Sequence, residues 1–104
     1  MTYSAFHDLV LTLQEVFAVS HFKRIGYKVS GKRMICTYDD QTGSANIFLT
    51  PEQQEKYCVN SPQYIYPVPN KWGEKGATTF EIEHLEIGQV EPAIMSAYRN
   101  VMNK

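Results

Sequence analysis

Residues 24–49, RIGYKVSGKRMICTYDDQTGSANIFL, decide the fold. Ile25, Tyr27 and Val29 alternate with polar or small residues, the period-two pattern of a half-buried strand. Strand-forming residues recur over 34–38 and 45–49. Gly31 suits a turn before the first of these segments, and the polar run over 39–44 suits a turn between them. Short turns between neighbouring strands imply antiparallel pairing, so the stretch predicts a three-stranded meander.

Helical patterns lie on both sides of the meander. Apolar residues at i, i+3, i+4 and i+7 predict a first helix over about residues 2–18 and a last helix over about 87–101. Thr50 and Gln53 match a capping box, which starts a short helix that ends near residue 60. The stripe residues expected to be buried are Leu9, Leu13, Phe17, Val90, Ile94 and Val101.

Two further extended segments complete the predicted sheet. Residues 64–68 contain Pro67 and are followed by Pro69. Because proline cannot donate a backbone hydrogen bond to a neighbouring strand, this segment is expected at an edge of the sheet. Residues 77–83 form the next predicted strand. The predicted order is α-β-β-β-α-β-β-α. Strands segregated from helices predict an α+β fold, a two-layer α/β sandwich with an antiparallel sheet and two long helices on one face. We expect residues 1–104 to form a single domain.

The composition excludes several classes of protein. A net charge of −1 and a pI of about 6.3 are not the global signature of a nucleic-acid or membrane binder. The two cysteines are expected to be free thiols, and we find neither a signal peptide nor a membrane span. These features predict a cytoplasmic protein without a membrane partner. Since no phosphate-binding glycine motif, metal-ligand set or activated nucleophile is recognisable, we predict no cofactor, no metal and no enzymatic activity.

The titratable residues that could serve catalysis are scattered. His7, His21 and His84 lie far apart in the sequence, and we expect each to be solvated. Glu81 and Glu83 share one face of the predicted strand over 77–83, where we expect a solvated acidic rim.

Basic residues are concentrated around the first predicted hairpin, in a segment without acids between Glu15 and Asp39. A basic β-ribbon can contact phosphates, whereas lysines on an ordinary edge hairpin only discourage edge-to-edge pairing. Charge alone favours the second interpretation. Alternation puts Arg24 and Lys28 on one face. The candidate nucleic-acid-binding residues are Lys23, Arg24, Lys28, Lys32 and Arg33.

Trp72 is the only tryptophan of the chain and lies in a turn-like segment between two prolines and two glycines. One hypothesis is that it folds over the end of the core and anchors the connection between the last two strands, and we favour this one. The alternative is a ligand- or base-stacking site in which Trp72 forms one wall with Tyr64 and Tyr66 nearby.

Several segments together resemble one protein family. HFKRIGYKVSGKRMICTY, IFLTPEQQEKY, YPVPNKWGEKGATTFEI and the last helix with Ser96-Ala97-Tyr98 are similar to the MmcQ/YjbR family of small bacterial proteins. The most specific part is WGxxGxT, which here begins at Trp72. Many relatives carry an aromatic residue where this chain has Ala77.

The resemblance implies a compact α+β domain of a kind compared with secretion chaperones and frataxin-like proteins. Members are often labelled DNA-binding, and neither enzyme activity nor a cofactor is implied. We therefore predict a non-enzymatic binding protein that binds nucleic acid weakly through the basic hairpin. The alternative is a protein-interaction or small-ligand-binding module of the secretion-chaperone type, whose partner is another protein or a second copy of the chain.

Overall fold

Within residues 1–103, which the computed structural model describes, six strands form one antiparallel sheet in the order β1-β2-β3-β4-β6-β5. A short 3-10 helix, Ile82–His84, follows the last strand. The elements in chain order are α1 Tyr3–Leu11, β1 Val16–His21, β2 Arg24–Val29, β3 Met34–Asp39, β4 Ser44–Phe48, α2 Pro51–Asn60, β5 Ile65–Pro67, α3 Lys71–Glu74, β6 Ala77–Phe80 and α4 Ile87–Met102. The predicted α+β class and antiparallel sheet are confirmed.

Helices α1, α2 and α4 cover one face of the sheet. The ring of Phe6 in α1 meets that of Tyr27 in β2 edge-on at 5.7 Å between centroids, and it lies 5.8 Å from the ring of Tyr38 in β3. From α2, Tyr57 approaches Phe80 of β6 at 6.1 Å. Helix α4 contributes a buried stripe of Val90, Ala93, Ile94, Ala97 and Val101. The core therefore lies between this helical layer and the sheet.

The first helix is shorter than predicted, and this is the main correction to the fold. Helix α1 ends at Leu11, Glu15 takes a left-handed φ of 67°, and the chain then forms the edge strand β1. Val16, Phe17 and Val19 suit a strand as well as a helix, and pairing with β2 decides between them. The backbone N–H of Ser30 also donates to the Glu15 carbonyl at 2.8 Å.

The change in β1 alters the predicted core. Phe17 is 42% exposed rather than buried, because it lies on the strand face away from the helices. Leu9 and Leu13 are half-buried. The predicted burial of Val90, Ile94 and Val101 is confirmed.

The α2 helix begins as predicted. Thr50 Oγ1 accepts from the Gln53 backbone N–H at 3.2 Å, and Gln53 Oε1 accepts from the Thr50 N–H at 3.0 Å. No helix among residues 1–103 is both long and apolar enough to cross a membrane.

Candidate functional site

The sheet face opposite the helices carries rows of polar side chains. Cα partners in an antiparallel sheet present their side chains on the same face, so the register assembles each row from sequence-distant strands. One row consists of Thr37, Asn46, Thr79 and Tyr66, on β3, β4, β6 and β5. The adjacent row contains Asp39 and Ser44, with Arg24 at its β2 end. We call this side the open face.

A broad groove of about 1550 Å³ runs over the open face. It continues around the end of the sheet, where the C-terminal residues of α4 also line it. Met34, Phe48 and Ala77 form apolar parts of its lining. Its basic residues are Lys23, Arg24, Arg33, Lys75 and Arg99.

The charge of the groove differs from that of the whole protein. Asp39 is the one acid among the lining residues that the structure describes, although the chain has 11 Asp and Glu against 10 Lys and Arg. Arg24 Nη2 lies 3.6 Å from Asp39 Oδ2, and Arg24 Nη1 donates to Thr37 Oγ1 at 3.4 Å. These contacts are long and use only part of the five-donor guanidinium group. The near-neutral chain therefore presents a locally positive surface.

Phe22 stands at the β1–β2 turn of this groove and is 94% exposed. Its φ of 59° lies in the left-handed region, which costs a non-glycine residue roughly 1–2 kcal/mol. The left-handed backbone disfavours phenylalanine at this position, and the exposed ring gains no stabilisation from burial. An exposed aromatic ring in an unfavourable conformation is a feature associated with binding.

Trp72 lines the opposite part of the groove and is 64% exposed, so the predicted packing anchor is wrong. Asn70 Oδ1 accepts from the Trp72 N–H at 2.8 Å and starts the one-turn helix α3. The Lys75 ammonium lies 5.4 Å from the centre of the indole ring, a cation–π distance.

Gly73 takes the anchoring role that we predicted for Trp72. It is buried, and a Cβ atom there would lie 1.8 Å from the Val68 carbonyl oxygen. Gln54 Nε2 donates to the carbonyl oxygens of Gly73 at 2.9 Å and Ala77 at 3.0 Å, which ties α2 to this connection. The backbone around Gly73 holds the segment, and the indole remains available to a ligand.

Because Trp72 is mostly exposed, we expect Trp72→Ala to lower the free energy of unfolding by less than ~1 kcal/mol. Urea denaturation followed by circular dichroism measures this. A loss of about 3 kcal/mol or more, the range for a buried large aromatic, would show that the indole is packed in the core.

A smaller pocket of about 360 Å³ adjoins the groove between β4, β6 and β5. Within it, the Tyr66 hydroxyl donates to Glu81 Oε2 at 2.5 Å, and Thr79 Oγ1 donates to Asn46 Oδ1 at 2.8 Å. The hydrogen bond to Glu81, and secondarily burial, raise the pKa of Tyr66 above its ordinary value. The phenol therefore keeps its proton at neutral pH.

The structure brings some of the predicted binding residues together and separates others. Lys23, Arg24 and Arg33 line the groove. Lys28 lies on the same face but outside the groove lining, and Lys32 is exposed in the Gly31 turn. The hairpin thus supplies three of its five predicted basic residues to one surface.

The two predicted tyrosines lie apart from Trp72. Tyr66 lines the smaller pocket, whereas Tyr64 stacks on His84 with ring centroids 4.6 Å apart. Tyr64 precedes β5, and Trp72 follows its other end.

Sequence reasoning missed several groove residues. Phe22 was missed because the predicted first helix covered the first half of β1, which concealed the β1–β2 turn. Lys75 and Arg99 reach the groove only through tertiary folding. The preceding Asn70, a helix N-cap residue type, was a signal that Trp72 lies on a short helix rather than in the core.

The histidines and acids also differ from expectation. His7 is half-buried rather than solvated, and its Nδ1 lies 2.9 Å from the Tyr27 hydroxyl. Strand β6 ends at Phe80, so Glu81 and Glu83 do not form an acidic strand face; Glu81 instead receives the Tyr66 hydrogen bond.

The described residues show neither a metal-binding cluster nor a cysteine activated as a thiolate. Over residues 1–103, no group of three or more His, Cys, Asp or Glu residues is arranged to hold a metal ion. Both cysteines are free, and burial raises the pKa of the Cys36 thiol well above its usual range, which opposes thiolate formation.

Comparison of the chain with protein-family models, curated proteins and solved structures found no match.

Proposed function

We propose that this chain is a non-enzymatic protein that binds single-stranded nucleic acid in the groove over its open face. One observation carries the proposal: half of the basic residues and the two most exposed aromatic rings, those of Phe22 and Trp72, line the same groove, with one acid among its described lining residues. Phosphates attract the basic side chains, and exposed aromatic rings stack on unpaired bases.

The position of the aromatic residues favours a single strand over a duplex. Phe22 follows β1, and Trp72 lies beyond β5, so the two rings stand toward different edges of the sheet. Adjacent strands are ~4.8 Å apart, so a ligand that reaches both rings must extend over several nucleotides. Bases in a duplex are stacked on each other and cannot also stack on these side chains, whereas single-stranded bases can.

The local charge explains how a near-neutral protein can bind a polyanion. At physiological ionic strength, charges separated by more than about 8 Å are largely screened. The ligand therefore responds mainly to the basic groove, and acids on the helical side contribute little. Binding should be weak, as we predicted for the basic hairpin, and strongly dependent on salt.

Membership of the MmcQ/YjbR family and a cytoplasmic location belong to the same proposal. The WGxxGxT residues support the first through the resemblance stated above. Two free cysteines are compatible with a reducing compartment.

The second candidate is a protein-interaction module, and the edge strand β1 favours it. Its six residues, VFAVSH, contain neither proline nor a Lys, Arg, Asp or Glu side chain, whereas the other edge strand, β5, has three residues and ends at Pro67. An unprotected edge can accept a strand from a partner or from a second copy. Sedimentation at several protein concentrations would reveal self-association.

The proposal predicts that a fluorescently labelled dT12 oligonucleotide binds at low salt. If three or four phosphates are neutralised, log K should fall with log salt at a slope of about −2 to −3, since single strands contribute roughly −0.7 per contact. Fluorescence anisotropy at several NaCl concentrations measures the slope. Absence of binding at 20–50 mM salt, or affinity independent of salt, would contradict the proposal.

A further inference from the structure

The smaller pocket beside the groove has complementary charges on its two sides. Glu81 and Tyr66 line one side, and Arg24 reaches the other. Ser44, Asn46 and Thr79 are also among the lining residues. The pocket is open and of about 360 Å³, which is large enough for one planar heterocycle.

The hydrogen bonds within the pocket leave specific groups free to bind a ligand. Glu81 Oε2 accepts from the Tyr66 hydroxyl, and an ionised carboxylate has about four acceptor positions, so most of its capacity remains. Asn46 uses its carbonyl oxygen to accept from Thr79, which orients its amide group. Arg24 retains donors beyond those that contact Asp39 and Thr37. The pocket therefore offers a carboxylate acceptor opposite guanidinium donors.

We infer that this pocket binds a guanine base of the bound strand, with Glu81 accepting from the N1–H and 2-amino groups and Arg24 donating to O6 or N7. The assignment rests on the proposed function, since the groove supplies the strand from which the base enters. Guanine presents two adjacent donors that match a carboxylate and acceptors that match an arginine. Single-stranded bases expose these edges, and proteins read them directly.

The other bases fit the pocket less well. Thymine has one ring N–H donor between two carbonyl acceptors, so a carboxylate gains one hydrogen bond and meets oxygen atoms on both sides. Adenine and cytosine each carry one exocyclic amino group beside an unprotonated ring nitrogen, and this nitrogen would face the second carboxylate oxygen. Only guanine satisfies both oxygens of Glu81. The pocket should therefore distinguish guanine from thymine by about tenfold, at the lower end of the range for a bidentate contact.

Three 12-mers, measured by anisotropy in lithium chloride buffer to suppress guanine quadruplexes, test the inference. They are dT12, alternating dT-dG, and alternating dT-dI, in which hypoxanthine lacks the 2-amino group. We expect dT-dG to bind about tenfold more tightly than dT12, and dT-dI to lose most of that advantage. Equal affinity for dT-dG and dT12 would overturn the guanine assignment while the proposed function stood. Absence of binding by all three would overturn both.

The variant Glu81→Gln tests the role of the carboxylate. An amide oxygen still accepts from Tyr66, so we expect the fold to be retained and the preference for dT-dG over dT12 to be lost. A preference that survives in Glu81→Gln would overturn the inference. If this variant fails to fold, the hypoxanthine comparison on the unaltered protein decides. Free 5′-GMP should compete weakly; GMP affinity equal to that of the strand would overturn the assignment to a strand.

Discussion

Gly76→Ala should lower the free energy of unfolding by about 3 kcal/mol or more, because two independent effects oppose a side chain at this position. The φ of Gly76 is 114°, which L-residues rarely adopt. A Cβ atom there would lie 2.0 Å from the Leu49 carbonyl oxygen, a backbone atom that cannot move without disturbing the junction of β4 and α2. Thr78 Oγ1 also donates to the Gly76 carbonyl at 2.8 Å, which fixes the peptide further.

Gly88→Ala provides the matched control for this prediction. Gly88 lies in the first turn of α4, and no heavy atom beyond the adjacent residues and the local helix backbone comes within 4 Å of a Cβ placed there. We expect no loss of stability, or a gain of up to ~1 kcal/mol from helix propensity. Urea denaturation of both variants measures the difference. A cost below about 1 kcal/mol for Gly76→Ala would show that the connection between α3 and β6 is not constrained as described.

The second large effect concerns binding. Replacing Lys23, Arg33 and Lys75 together by glutamine should weaken dT12 binding about 100-fold at low salt, at roughly 1 kcal/mol for each lost ion pair. The same variant should reduce the salt slope by about two, at roughly 0.7 per lost phosphate contact. All three side chains are exposed, so we expect little change in stability.

A control with the same net charge separates local from global electrostatics. Ser4→Glu, Gln14→Glu and Asn60→Asp add three negative charges at exposed positions outside the groove lining. We expect this triple variant to bind dT12 within about threefold of the unaltered protein, because charges beyond a Debye length are screened. Equal losses in the two variants would attribute binding to net charge rather than to the groove.

The sequence predicts the central part of this fold because local rules agree there. Alternation around Tyr27, turn glycines and the capping box at Thr50 all specify elements that form within a few residues. Strand β1 was missed because Val16 and Phe17 fit a helical stripe and a strand equally well. Only pairing with β2, a tertiary interaction, selects the strand.

The groove was harder to predict from the sequence for a related reason. The cluster of basic residues near Arg24 was recognisable, but its extension to Lys75 and Arg99 depends on which strands become neighbours. The large apolar indole of Trp72, taken alone, predicts burial. Its exposure depends on a close backbone contact between Gly73 and Val68, which the sequence does not reveal. Glu81 lies in the pocket rather than in a strand because β6 ends at Phe80, three residues before the predicted end of that strand.

The intrinsic fluorescence of Trp72 tests the central claim most directly, because this single tryptophan lies in the proposed binding groove. We predict that titration with unlabelled dT12 at low salt quenches its emission to saturation, and that added salt restores it. The groove triple-glutamine variant should show little quenching, and the variant charged outside the groove should behave like the unaltered protein. Emission that stays unchanged while labelled dT12 is shown to bind would mean that the strand lies elsewhere. Absence of both signals would contradict nucleic-acid binding by this protein.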